Sequence, residues 1–80
     1  MKLEILSPDK KIYSGDIKLV KLPGTKGSFE VLNNHAPIIS TLEEGQIKVI
    51  DQNNDIKLFE ISEGVVEVLN NQIIVLIGSV

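Results

Sequence analysis

His35 is the only histidine in the 80-residue sequence, and so the first residue to test for proton transfer. General acid–base work needs a second group within hydrogen-bond reach to orient the ring. The nearby Asn34 and Pro37 offer turn geometry instead, so His35 reads as a loop hydrogen-bonder. One histidine with scattered carboxylates lacks the ligand spacing of a metal centre. There is no cysteine, which removes thiolate nucleophiles, thiolate ligands and disulfides together. The serines at positions 7, 14, 28, 40, 62 and 79 include no Gly-x-Ser-x-Gly elbow. Glu43 and Glu44 are adjacent on a turn, where carboxylates point apart into water. Pro23-Gly24-Thr25-Lys26-Gly27 carries two glycines and a lysine, but not the spacing or the following helix of a phosphate loop. It reads as a connection between strands. Tyr13, Phe29 and Phe59 are too few for a base-stacking platform and are expected in the core or at an interface. No cofactor and no metal is expected.

Charge excludes further classes. All eight basic residues are lysines, against eleven acidic ones, for a net charge of −3. Nucleic acid and anionic lipid both favour a basic face. Without arginine there is no bidentate phosphate clamp. The opening MKLEILSPDK shows no long apolar stretch of a signal peptide. The longest apolar run, Ile73 to Ile77, is far short of the roughly 20 residues of a membrane-spanning helix. No direct membrane insertion is expected.

The elements that must position these residues are strands. Lys2-Leu3-Glu4-Ile5, Gln46-Ile47-Lys48-Val49 and Asp55-Ile56-Lys57-Leu58 alternate polar and apolar. Turn formers punctuate the chain at Ser7-Pro8-Asp9, Ser14-Gly15-Asp16, Pro23-Gly24, Asn33-Asn34, Glu44-Gly45, Asn53-Asn54, Glu63-Gly64 and Asn70-Asn71. Strands are predicted at roughly 2–6, 11–14, 16–22, 27–32, 36–41, 46–51, 55–61, 65–69 and 72–77. The chain is expected to be one all-β domain over residues 1–80, an antiparallel sandwich or barrel.

In a two-layer sandwich each strand hides one face. Leu19-Val20, Ile38-Ile39, Leu58-Phe59, Val65-Val66 and Val68-Leu69 place apolar residues on both faces, and Ile73 to Ile77 is apolar throughout. Successive side chains point to opposite faces, so that last strand must turn two or three apolar groups outward. Two readings stand. Strand ends, bulges and loops absorb the surplus, or it forms a patch for a partner protein.

The order of motifs adds a resemblance. Leu3-Glu4-Ile5-Leu6-Ser7-Pro8 precedes Ile12-Tyr13-Ser14-Gly15. Leu22-Pro23-Gly24-Thr25-Lys26-Gly27-Ser28-Phe29, Asn34-His35-Ala36-Pro37-Ile38-Ile39 and Leu42-Glu43-Glu44-Gly45 follow. Phe59-Glu60-Ile61-Ser62-Glu63-Gly64-Val65-Val66-Glu67-Val68 and Ile73-Ile74-Val75-Leu76 complete the series. Over essentially the whole chain this resembles the N-terminal β-domain of the epsilon subunit of F-type ATP synthases, called delta in mitochondria. The resemblance implies a ten-stranded sandwich of two sheets. It implies a non-catalytic central-stalk subunit that grips the gamma subunit, rests on the c-subunit ring and turns with them, helping couple proton-driven rotation to ATP synthesis. It implies a gamma-facing surface of Ser7, His35, Ala36, Pro37, Ile38 and Ser40, and a c-ring-facing turn of Lys26, Gly27 and Ser28. Ser28 stands where the family often has a carboxylate, with Glu30 two positions on. Asn33-Asn34 stands where Pro-Gly is common. For a bacterial source, the location implied is the cytoplasmic face of the inner membrane, in a peripheral complex.

Typical bacterial members continue into a C-terminal helical hairpin that brakes ATP hydrolysis and, in some, binds nucleotide. The present sequence ends at Val80 as the last strand finishes. The helical domain is therefore expected to be absent, and ATP binding with it. Two other readings compete with it. A lipoyl- or biotinyl-type carrier would place a modified lysine, Lys10 or Lys26, at a hairpin tip, but the residue after Lys10 is Lys11 where a small one is expected. A small β-sandwich enzyme would have to use His35.

Overall fold

Asparagines make the tightest reversals. Asn34, Asn54, Asn70 and Asn71 have φ of 65°, 65°, 52° and 61°, the left-handed region that asparagine tolerates better than other non-glycine residues. The three Asn-Asn pairs therefore mark turns, as the sequence predicts. A computed structural model describes residues 1–78. Between the turns lie eight strands: β1 (Lys2–Leu6), β2 (Lys11–Leu22), β3 (Phe29–Leu32), β4 (Ile38–Leu42), β5 (Gly45–Asp51), β6 (Ile56–Ile61), β7 (Gly64–Leu69) and β8 (Gln72–Ile77). No helix occurs among the described residues.

The predicted break at Ser14-Gly15-Asp16 does not occur. Residues 11–22 form one strand of 12 residues. Gly15 sits within it, paired with Leu3 of β1; a Cβ there would lie 3.0 Å from the Tyr13 hydroxyl, a side-chain tip that can give way. A register shift between Ile17 and Leu19 then bends the strand. The count is thus eight, against nine from turn spacing and ten from the resemblance.

The two layers are not separate sheets. Neighbours run β4-β7-β8-β1-β2-β5-β6, with β3 also pairing β2. The first half of β2 pairs β1, and its second half pairs β3 and β5. β2 therefore belongs to both layers, and the sheet curls around it. Past the end of β2, Gly24 bridges Leu42, and the Glu43 N–H donates to the Pro23 carbonyl at 2.9 Å. These contacts tie the second layer back to β4. Pairing is antiparallel except between β1 and β8, which run parallel. Parallel neighbours need a long crossover; here the rest of the domain supplies it.

Every strand feeds one core. Leu3 and Ile5, Ile17, Val20 and Leu22, Val31, Leu42, Ile47 and Val49, Ile61, Val66 and Val68, and Ile73, Val75 and Ile77 are buried together. Each such side chain contributes about 1.5–3 kcal/mol on leaving water. Among the described residues no polar or charged residue is buried.

Candidate partner-binding surface

The register of the first layer sets what its outer face presents. One cross-strand row reads Ile39, Glu67, Ile74, Glu4, Ser14. The next reads Thr41, Val65, Leu76, Leu6. Leu69 lies beside Gln72 in the row below. Alternation sends all of these away from the core, whose members Val66, Val68, Ile73 and Val75 lie between them. Ile39 is 74% exposed, Leu69 48% and Leu76 49%. The outward apolar residues of β8 are thus Ile74 and Leu76, and Leu76 is exposed. Part of the surplus therefore stays exposed on this one face, where Glu67 separates Ile39 from Ile74.

The second layer carries a stripe of its own. Leu32, Leu19, Ile50 and Ile56 stand in one row across four strands. Beside it Lys21 faces Glu30 on one side and Lys48 on the other. Like charges directly opposite are mildly repulsive.

The expected gamma-facing residues do not form one cluster. His35, Ala36 and Pro37 lie in the connection from β3 to β4. The His35 N–H donates to the Leu32 carbonyl at 3.1 Å. Its Nδ1 lies 2.7 Å from the Ala36 carbonyl oxygen. The histidine is therefore engaged in loop geometry, as its neighbours suggested. Pro37 lines a shallow groove with Ile39, Glu67 and Leu69, which joins the loop to the apolar patch. Ile38 pairs with Val68 and packs against the core. Ser40 has the same parity, and its hydroxyl donates to the Thr41 carbonyl at 3.2 Å. The exposed member of the isoleucine pair is Ile39. Ser7 follows Leu6, which is level with Leu76, whereas Ile38 is level with Ile73. Ser7 thus lies at the opposite end of the layer, where its Oγ donates to the Lys10 carbonyl at 3.2 Å and closes a turn.

Lys26, Gly27 and Ser28 are all exposed in the turn after β2. Gly27 has φ of 124° and donates its N–H to the Gly24 carbonyl at 3.0 Å. Gly24 is buried, and a Cβ on it would lie 2.7 Å from the Gly27 carbonyl oxygen. The Thr25 and Thr41 hydroxyls meet at 2.8 Å, fastening the turn to β4. Lys10 is likewise exposed.

Sequence reasoning missed Ile39, Leu69 and Leu76 as site residues. The signal was present in the doublets Ile38-Ile39 and Val68-Leu69, but a doublet does not say which member points out. Away from this face, partial burial pushes the Asp51 carboxyl up. The backbone N–H groups of Asp55 and Asn53 and the Lys57 ammonium outweigh that and hold it below its usual value of 3.8. Its Oδ1 accepts from Asn53 N at 2.8 Å and Asp55 N at 3.0 Å, and Lys57 Nζ lies 3.6 Å from Oδ2. Among the described residues no group of His, Asp and Glu could hold a metal ion, and no helix is long and apolar enough to cross a membrane.

Residues 1–80 match the family model described as the ATP synthase, Delta/Epsilon chain, beta-sandwich domain. The chain belongs to this family. Among relatives, an ATP synthase epsilon chain of Sulfurimonas denitrificans is 42% identical over 77 residues, covering 96% of this chain and 59% of that one. One from Caulobacter vibrioides is 39% identical over 64 residues, covering 80% of this chain and 73% of the relative. The first-named match thus leaves about two-fifths of the epsilon chain without a counterpart in these 80 residues. A chain of the Euglena gracilis mitochondrial ATP synthase superposes with a TM-score of 0.85 at 18% identity, over 94% of this chain and 48% of that one. A chain from the central stalk and c ring of the Tetrahymena thermophila enzyme gives 0.81 at 17%, over 99% and 63%. At such identities the superpositions show a shared fold.

Proposed function

We propose that this delta/epsilon domain is a non-catalytic rotor component of an F-type ATP synthase. It binds the gamma subunit through the outer face of β4, β7 and β8 together with the His35–Pro37 loop. It presents the Lys26–Ser28 turn to the c ring. The observation that carries the reading is the apolar patch of Ile39, Leu69, Ile74 and Leu76 on a domain of this family. Exposed patches of this kind mark protein interfaces. A rotor part must transmit torque without deforming. A sheet curled on a single close-packed core has the low compressibility for that. The domain makes and breaks no bonds. In a bacterial cell it works at the cytoplasmic face of the inner membrane, held there by its partners.

The polar contact at the ring differs from the carboxylate expected of the family, because Ser28 occupies that position. Lys26 is the charge nearest the tip of the turn, so an acidic or carbonyl-rich loop is its natural partner.

The test is binding of the chain to the cognate gamma subunit, with Ile39→Glu as the probe variant. Burying that carboxylate unpaired should weaken binding by about 2–5 kcal/mol. Failure of the wild-type chain to bind gamma, under conditions where an established epsilon chain binds, overturns the reading.

A further inference from the structure

Two asparagines, 37 positions apart, grip each other across the domain. The Asn34 backbone N–H donates to Asn71 Oδ1 at 2.6 Å. Asn71 Nδ2 donates in return to Asn34 Oδ1 at 3.0 Å. Both residues hold left-handed backbone, φ 65° and 61°, so their side chains are aimed from tight turns. Asn71 belongs to the β7–β8 turn, and its own carbonyl accepts the Lys2 N–H of β1 at 2.9 Å. The far end of the clasp is therefore anchored in the centre of the first layer. The near end is not. β3 has only four residues, and Asn33-Asn34 contains no proline to stiffen it. Besides the clasp, among the described residues the connection carries only short-range contacts: the turn bond from His35 N to Leu32 O and the approach of His35 Nδ1 to the Ala36 carbonyl oxygen.

We infer that Asn71 is a positioning residue. Through Asn34 it fixes the His35–Ala36–Pro37 loop at the edge of the apolar patch, so that the partner meets an ordered surface. The inference rests on the gamma-binding reading above. Ordering a loop before association removes an entropic cost that would otherwise be met on binding. Pro37 makes the link direct, since it lines one groove with Ile39 and Leu69 and a second with Asn34, His35 and Asn71.

The chemistry of the clasp dictates the variants. Asn71→Gly keeps the left-handed backbone and deletes both bonds. Asn34→Asp keeps the acceptor that Asn71 Nδ2 needs and leaves its own N–H donor intact. Asn34→Asp with Asn71→Asp sets two carboxylates against each other and removes the amide donor. The measurements are affinity for the cognate gamma subunit, amide exchange at Asn34 and His35, and thermal midpoint. Asn71→Gly should bind about three- to tenfold more weakly, with faster exchange at both amides and a midpoint near that of the wild type. The double Asp variant should bind at least as weakly. Asn34→Asp should retain binding to within about twofold of the wild type. Equal affinity for the wild type and Asn71→Gly overturns the positioning role alone. A drop in affinity that follows the thermal midpoint, with exchange at Asn34 and His35 unchanged, overturns it too. No binding by the wild type overturns the gamma reading and the positioning role together.

Discussion

Ile38 and Ile39 are neighbours in sequence with opposite surroundings. One packs on the core and the other stands 74% exposed. The same glutamate substitution should therefore fail in two different ways. Ile38→Glu sets a charge against apolar neighbours and should cost about 2–4 kcal/mol of stability in denaturant titration. Ile39→Glu should shift stability by no more than about 0.5 kcal/mol while losing gamma. Asp51 provides a pH-dependent case. Its pKa lies below the unfolded value in the folded chain, so the folded state holds the proton less tightly. The resulting stability is fully present above the unfolded value of 3.8 and is lost as pH falls through the folded one. Asp51→Ala should lower the thermal midpoint at neutral pH, and the gap from the wild type should narrow as the pH drops below 3.8.

At the level of elements, β2 is the piece the rest depends on, because its two halves serve two layers. The turn that follows it is held by contact distances. Gly24→Ala would press a methyl against the Gly27 carbonyl oxygen and the Phe29 ring, whose nearest atoms are 2.7 Å and 2.9 Å from the added Cβ. Backbone cannot yield there as a side-chain tip can. The Lys26–Ser28 turn should shift, at a cost of about 1–3 kcal/mol. Amide exchange at Thr25, whose N–H donates to the Thr41 carbonyl at 3.1 Å, should rise.

Over the whole molecule, the pairing of β1 with β8 joins the two ends of the described chain. Loop-closure entropy must be met before such contacts contribute, so folding should take milliseconds to seconds. A stopped-flow trace that finished within microseconds would contradict this. The outward surface divides by chemistry as well. Association through Ile39, Leu69 and Leu76 should change little with salt, because apolar burial is not screened, whereas a contact made by Lys26 should weaken as ionic strength rises.

Much of this was legible beforehand. The Asn-Asn pairs announced their turns because few other residues accept left-handed backbone. The continuous run from Ile73 to Ile77 announced surplus apolar surface because a strand has two faces. Three things were not legible, for one shared reason: each depends on which strand lies beside which. The passage of β2 through Gly15 depends on its pairing with β1. The choice of Ile39 over Ile38 depends on the register with β7. The Asn34–Asn71 clasp depends on two turns meeting in space. Local composition sets the period and the punctuation of a chain, because those are properties of a few consecutive residues. Register, sidedness and long-range contact are settled only when distant strands compete to bury the same apolar groups.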